Sequence, residues 1–248
     1  MIFPQWTLGN IILYGYLAFL TLAIVPMELR GMAMMEYSKF RTSKGISSRT
    51  GMLLIYGLPL LALLAGASTY LTQPAPYQIV VFAALFGHFI KRTLEVLFLH
   101  KYSGPMNPYT AILIACFYSL TAFLPVYLNR QPLMQEPDAL AYVGLVLFVV
   151  SEGLNFLHHR ILSNLRRDTM EYVVPRGALF EWVVCPHFLF EIVAWLGLLL
   201  LFRHLAMFLF FAFMAAYLTG RSVRTLRWYR EKFADFPPDR KAIVPFVL

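Results

Sequence analysis

An all-α integral membrane protein with seven transmembrane helices, its N-terminus outside and its C-terminus in the cytoplasm, is predicted by three observations. The chain is 59% hydrophobic and 14% charged, with a mean hydropathy of +0.64, far from the balance of a soluble domain. Seven apolar runs reach or approach the roughly 17–25 residues that cross a bilayer. Lysine and arginine gather in alternate connections, the pattern that places those connections on the cytoplasmic side.

The first span, Gly9 to Pro26, follows a segment without a basic residue and is read as a retained helix, since no basic leader of a cleavable signal precedes it. An inner connection with Arg30, Lys39, Arg41, Lys44 and Arg49 leads to the second span, Met52 to Leu71. Tyr77 to His100, Pro108 to Leu128 and Ala139 to Leu157 give the third, fourth and fifth spans, and Arg160, Arg166, Arg167 and Arg176 follow the fifth. His187 to Phe202 is short and abuts Arg203-His204, so it forms a tight hairpin with the seventh span, Leu205 to Gly220, with its turn at an interface. The tail carries Arg221, Arg224, Arg227, Arg230, Lys232, Arg240 and Lys241, whereas Arg130 and Arg203 are the lone basic residues of two outer loops. The net charge of +8 is therefore a property of the cytoplasmic face, and no nucleic acid is needed to explain it. Cys116 and Cys185 read as reduced packing residues. No repeat or Gly/Ser linker divides residues 1–248, which are expected to form a single domain and a monomer.

Motifs of soluble nucleotide enzymes and zinc peptidases are missing: there is no G-x-G-x-x-G, no G-x-x-x-x-G-K-[ST], no H-E-x-x-H and no paired C-x-x-C. No metal site is expected. Chemistry-bearing residues instead lie inside or beside the apolar runs. In Cys185 to Trp195, His187, Glu191 and Trp195 stand four residues apart on one helix face. A His and a Glu at membrane depth are costly and face a cavity, a partner or a ligand rather than lipid. In the third span His88, Lys91, Arg92 and Glu95 put four ionisable groups into eight positions, with His88, Arg92 and Glu95 on one face. Lys91 reads equally as a snorkelling side chain with Glu95 as its internal partner. Tyr56, in Leu54 to Pro59, is by itself an ordinary membrane tyrosine. Near the cytoplasmic ends of the fifth and seventh spans, Asn155, His158, His159, Arg166, Tyr172, Arg221, Arg227 and Tyr229 combine cations, aromatics and an amide. Such groups suit phosphates and an adenine ring, and the arginines serve equally as topogenic charges on lipid headgroups. Composition leaves both readings open.

Several segments carry a family resemblance: Pro175 to Val183, Cys185 to Glu191 with Trp195-Leu196-Gly197, Arg227-Trp228-Tyr229, Phe233 to Pro237, Arg240 to Phe246, and His88 to Gly104. With these the chain resembles the steroid 5-alpha-reductase superfamily, which also contains the trans-2-enoyl-CoA reductases. About half of the chain is covered specifically, and the region before Thr50 matches only in hydropathy. The resemblance implies a seven-helix membrane oxidoreductase that uses NADPH to saturate a carbon-carbon double bond conjugated to a carbonyl. Negative charge then develops on the carbonyl oxygen, which calls for preorganised donors in a dry pocket. A phenol and a protonated carboxylic acid suit that task, the latter favoured by burial in apolar surroundings. Tyr56 and Glu95 take these catalytic roles, with His88, Lys91 and Arg92 lining or supporting the substrate pocket.

The same resemblance places Asn155, Arg166, Tyr172, Glu191, Trp195, Arg221, Arg227 and Tyr229 at positions similar to NADPH contacts, on the cytoplasmic side. His159 and His187 stand where relatives commonly have Asp and Asn, and an imidazole still donates or accepts a hydrogen bond there. A second departure concerns the catalytic pair. In many steroid reductases the carboxylate is near Gly57 and the tyrosine near Val96, whereas Tyr56 and Glu95 exchange the two groups and look more like the enoyl-CoA branch.

The substrate implied is a hydrophobic small molecule reaching the site from membrane lipid. A 3-oxo-delta-4 steroid fits a site open to the bilayer; a trans-2-enoyl-CoA would rest its phosphates on Arg41, Lys44, Arg49 and Lys101. The compact chain favours the steroid. Small membrane methyltransferases share a related C-terminal pattern and would bind S-adenosylmethionine instead, without needing Tyr56 or Glu95. A sterol binder or a proton-coupled transporter would leave the cytoplasmic cluster of arginines and aromatics unexplained.

Overall fold

The computed structural model describes residues 1–31, 38–40, 44–102, 104–166 and 171–248, so Arg41 and Arg167 lie outside the described residues. Seven α-helices account for most of them: α1 (Leu8–Leu29), α2 (Ser48–Ala67), α3 (Pro76–Leu94), α4 (Pro108–Leu128), α5 (Ala139–Asn164), α6 (Pro186–Leu201) and α7 (Leu205–Lys232). The chain divides into two compact units. One contains Met1–Ala33, Leu147–Leu196 and Phe208–Leu248; the other contains Met34–Val146 and Gly197–Met207.

Five helices, α1, α2, α4, α5 and α7, are long and apolar enough to cross a membrane, and the chain is an integral membrane protein. The other two expected spans differ for physical reasons. Helix α3 carries Gln78, His88, Lys91 and Arg92, and α6 has 16 residues, about 24 Å at ~1.5 Å per residue against a hydrocarbon core of about 30 Å.

Boundaries also shift. Helix α1 continues through Pro26 to Leu29, although proline lacks the amide that the helix interior uses. The third run does not stay α-helical to His100: Glu95–Leu99 form a π-helical turn. Helix α5 extends to Asn164 and α7 to Lys232, so Arg221, Arg224, Arg227 and Arg230 are helical residues and not part of a tail. Two short strands, β1 (Ile46–Ser47) and β2 (Pro105–Met106), pair antiparallel, a small exception to the all-α expectation. Both cysteines are free; Cys185 is buried as expected, whereas Cys116 is exposed on α4.

In the second unit α2 packs against α3 and α4. Gly66 permits the approach to α4, since a Cβ there would stand 2.7 Å from Val126 Cγ2 and 2.9 Å from the Phe123 carbonyl. Tyr77, fully buried on α3, donates its hydroxyl to the Leu201 carbonyl at 2.8 Å. Arg203 is not isolated, because its Nη2 lies 2.7 Å from Asp138 Oδ2. The Ala141 backbone N–H, and after it Arg203, holds the Asp138 carboxyl below the usual carboxylate range.

Gly144 on α5 marks a close approach of two helix backbones in this unit. A Cβ there would fall 2.6 Å from the Gly197 carbonyl oxygen and 2.8 Å from the Leu201 amide nitrogen. These are backbone atoms that cannot rotate away, so Gly144→Ala is expected to destabilise by about 1–3 kcal/mol through overpacking. Gly153→Ala, where a Cβ meets nothing within 4 Å, is the matched control. Unfolding in detergent micelles should separate the two.

In the first unit Thr7 caps α1 by accepting from the Asn10 amide. At the other end of α1, Glu28 is fully buried and accepts from Arg221 Nη1 of α7 at 2.8 Å. The C-terminal segment closes on the loop before α6. Lys241 N donates to Trp182 O, while Val184 N and Cys185 N donate to Lys241 O and Ala242 O. Arg240 Nη1 donates to Pro175 O at 2.7 Å and its Nη2 to Glu181 Oε2 at 3.3 Å. Val184, Cys185, Tyr229 and Phe236 form the core beneath.

Candidate functional site

The second unit joins the two residues expected to act on substrate through a third. Tyr56 lies on the third turn of α2 and Arg92 on the last turn of α3, where Arg92 Nη2 donates to the Tyr56 hydroxyl oxygen at 2.8 Å. The guanidinium also lies over the Tyr56 ring, 4.6 Å from its centroid. Arg92 Nη1 donates to Glu95 Oε2, Lys91 Nζ stands 3.3 Å from Glu95 Oε1, and His100 Nε2 lies 3.9 Å from Oε2. Tyr56 is 7% exposed and Glu95 2%, so the group is shielded from bulk water. Tyr118 and Phe89 pack around it, with ring centroids of Tyr56–Tyr118 at 5.7 Å and Phe89–Tyr118 at 6.1 Å.

The immediate surroundings of the Glu95 carboxylate are cationic, since Arg92 and Lys91 both reach it. The π-helical turn follows at once, with His100 N bonded to Glu95 O at 2.8 Å. Such single turns recur at functional sites. His88 is buried against the edge of Phe89, and Lys91 pairs with Glu95. Arg49 Nη2 donates to Leu97 O at 2.6 Å, bracing the π turn. Burial raises the Tyr102 phenol above its ordinary range.

The first unit places the expected nucleotide contacts on the C-terminal part of α5, the segment after it with Arg166 and Tyr172, the first turns of α6 and the second half of α7. Asn155 Nδ2 donates to His187 O at 2.8 Å, and the His159 and His187 rings lie 5.4 Å apart. His187, Glu191 and Trp195 follow one another at spacing four on α6, with Glu191 and Trp195 buried. A separate line of rings runs from Arg166, 4.6 Å from the Tyr172 ring, through Tyr172–Trp228 at 5.1 Å to Trp228–Tyr229 at 5.1 Å. Arg227 is exposed, whereas Tyr229 is stacked on Phe233 and Phe236 in the core.

The structure therefore unites Tyr56, Lys91, Arg92 and Glu95 in one cluster, Asn155, His159 and His187 in a second, and Arg166, Tyr172 and Tyr229 in a third. Arg221 is 3% exposed and bonded to Glu28, with Arg224 Nη1 at 3.5 Å from the same carboxylate oxygen. Sequence reasoning missed Glu28, although a lone carboxylate ending an apolar helix is a signal that membrane energetics make readable. It also missed Trp228, the ring that links Tyr172 to Tyr229. It undervalued Arg92, whose bridging role depends on α2 and α3 lying side by side.

Apolar helices that enclose ion-paired side chains, in a chain that also carries a cationic and aromatic helix end, define a polytopic membrane protein with an internal polar site. The profile of the family described as 3-oxo-5-alpha-steroid 4-dehydrogenase matches residues 106–248, more than half of the chain. A very-long-chain enoyl-CoA reductase of Dictyostelium discoideum is 34% identical over 165 residues, 65% of this chain and 55% of that protein. The mouse 3-oxo-5-alpha-steroid 4-dehydrogenase 1 is 28% identical over 247 residues, 95% of this chain and 94% of the relative. Polyprenal reductase 1 of Arabidopsis thaliana is 40% identical over 125 residues, 48% of this chain and 39% of the relative. The chain thus spans little more than half of the Dictyostelium reductase. It belongs to the 3-oxo-5-alpha-steroid 4-dehydrogenase family, whose relatives include very-long-chain enoyl-CoA reductases.

Proposed function

We propose that this chain is a membrane reductase of a carbon-carbon double bond conjugated to a carbonyl, using NADPH and acting on a 3-oxo-delta-4 steroid. The observation that carries the reading is the buried Tyr56–Arg92–Glu95 cluster in a chain of this family. As the β carbon takes the hydride, the π electrons shift onto the carbonyl oxygen, to which Tyr56 donates a hydrogen bond, and the carbonyl re-forms when the α carbon takes a proton from water. A phenol whose oxygen already accepts from a cation is a stronger donor, because linked hydrogen bonds polarise one another. Arg92 fixes the phenol by its hydrogen bond and its position over the ring, and Glu95 holds Arg92. Lys91 completes the neutralisation of Glu95, and His88 packs behind the cluster.

The donor set of the first unit fits a nicotinamide dinucleotide phosphate. Arg166 and Arg227 supply cations for phosphates, and Tyr172 supplies an aromatic face. Asn155, His159, His187 and Glu191 supply hydrogen-bonding groups for ribose and carboxamide, with Trp195 and Tyr229 forming the buried wall. When bound, the reduced nicotinamide supplies the hydride. Arg221 is assigned to the same cation field and is tethered to Glu28. We place the nucleotide site on the cytoplasmic side of a monomeric, seven-span single domain with an outer N-terminus and a cytoplasmic C-terminus; the hydrophobic substrate arrives from the lipid.

The steroid reading rests on the end-to-end match with the mouse relative. An enoyl thioester is the second reading, supported by the identity to the Dictyostelium reductase and by the Tyr56/Glu95 arrangement; Lys44, Arg49 and Lys101 would then meet the CoA phosphates. Purified protein is expected to oxidise NADPH with testosterone or progesterone as acceptor, the 5-alpha product being identified by mass and chromatography. Turnover with only a long-chain trans-2-enoyl-CoA would transfer the assignment to the thioester. Inactivity with both, together with tight S-adenosylmethionine binding, would overturn it.

A further inference from the structure

The π-helical turn Glu95–Leu99 decides which side chain stands over the Glu95 carboxylate. An α-turn lays residue i+4 over residue i, which here would be the apolar Leu99. The i→i+5 bond from His100 N to Glu95 O, 2.8 Å long, brings His100 there instead. His100 Nε2 lies 3.9 Å from Glu95 Oε2, within ion-pair range. On the other edge of the ring, Nδ1 lies 3.3 Å from the Tyr102 hydroxyl oxygen, and the two rings meet edge to face at 6.1 Å. Glu95, His100 and Tyr102 thus form a carboxylate–imidazole–phenol series, the order in which catalytic sites join an orienting group, a proton carrier and the group that reacts.

The series belongs to the cluster that holds Tyr56. Tyr102 is half-buried just beyond the third apolar run, Tyr77 to His100. Burial raises its phenol above the ordinary range, and after burial Tyr56, Arg92, Arg49 and Glu95 act on it, so a second phenol shares the electrostatic field of the first and keeps a proton to give. The His100 side chain is 22% exposed against 2% for Glu95, which makes the imidazole a point of contact with water. Tyr56 is placed differently. Arg92 donates to its oxygen and lies over its ring, an arrangement that holds a hydrogen bond to an oxyanion. It does not resupply a proton, because a guanidinium does not give one up.

We propose that Tyr102 delivers the proton that the α carbon takes up after hydride transfer, and that His100 passes it on from water while Glu95 orients the imidazole. The inference rests on the reductase reading and adds the path of the second hydrogen. His100 enters the step as the imidazolium, its Nε2–H facing Glu95 and its Nδ1–H donating to the Tyr102 oxygen, which leaves the Tyr102 O–H for the substrate. When the enolate collapses, the Tyr102 O–H bond breaks and the α C–H bond forms. The Tyr102 oxygen then takes the Nδ1 proton, and the imidazole recovers a proton from water. The product gains one hydride from the nucleotide and one proton from solvent, with every side chain restored. A positioned acid of this kind contributes about 10²–10⁴-fold to rate.

The test is reduction in heavy water by the full chain in detergent micelles, with testosterone and a long-chain trans-2-enoyl-CoA as parallel acceptors and the product analysed by deuterium NMR. The parent is expected to place one deuterium on a single face of the α carbon. Tyr102→Phe should lower turnover at least about tenfold and put deuterium on both faces, because water then protonates the enolate directly. His100→Gln, whose amide still donates to Tyr102 but passes no proton on, should slow turnover at least about tenfold and retain the single face. Nucleotide affinity should stay within about twofold in both variants, and Tyr109→Phe, which alters an exposed phenol on α4, should match the parent throughout. Tyr102→Phe with turnover within about threefold of the parent, or a slow Tyr102→Phe that still deuterates a single face, would overturn the inference and leave the reductase reading intact. If Tyr102→Phe loses nucleotide binding, His100→Gln decides alone, and turnover within about threefold overturns the inference. A parent chain that reduces neither acceptor overturns the reading and the inference together.

Discussion

Tyr56→Phe is expected to lower turnover by about 100-fold or more, the loss typical when one preorganised oxyanion donor is removed, while nucleotide affinity changes by less than about twofold. The substitution removes one oxygen and leaves the ring against Tyr118. Arg92 loses an acceptor but keeps Glu95, so the cluster holds its place. A donor that acts mainly in the transition state should depress kcat and kcat/KM together, with KM nearly constant. Single-turnover reduction, with nucleotide affinity measured separately by fluorescence, gives both quantities. Turnover within threefold of the parent would remove Tyr56 from the chemistry. Arg92→Lys sharpens the test, because a lysine keeps the charge but cannot span both partners with a planar fork. It should fall between the parent and Tyr56→Phe.

The contrast between Tyr56 and Arg92 shows what the sequence makes legible. Apolar run lengths announce α1, α2, α4, α5 and α7, since the bilayer demands a minimum length whatever the tertiary packing. Helix α3 was visible by its face: His88, Arg92 and Glu95 recur at helical spacing, and the first two of them are buried on α3. The π turn was not visible, because an i→i+5 bond at Glu95 and His100 leaves no compositional trace. The boundaries of α5 and α7 were hidden for a different reason. Hydropathy falls where the helices pass Arg160 and Arg221, but helix propensity does not, and arginine is a good helix former. Long-range pairs such as Glu28 with Arg221, or Tyr56 with Arg92, depend on which helices adjoin, which spacing along one helix does not encode.

Glu28→Gln is expected to destabilise the protein by about 3–5 kcal/mol, the cost of stripping a buried charge of its partner. The amide keeps the shape and an acceptor, but Arg221, 3% exposed, loses its counter-charge in a place that water barely reaches. Arg224 does not restore the balance, since it is a second cation aimed at the same oxygen. The double variant Glu28→Gln/Arg221→Gln should cost clearly less than the sum of the two single changes, because contacting charges are not additive. Glu231→Gln, at an exposed position of α7, should stay within about 0.5 kcal/mol of the parent. Unfolding of micelle-embedded protein by a graded denaturing detergent measures all four. A Glu28→Gln chain as stable as the parent would show that α1 and α7 are held by packing alone, with no contribution from the pair. The expected loss would instead identify Glu28 as the group that fixes Arg221, and on the proposed nucleotide role of Arg221 the affinity for nucleotide in Glu28→Gln should fall along with stability.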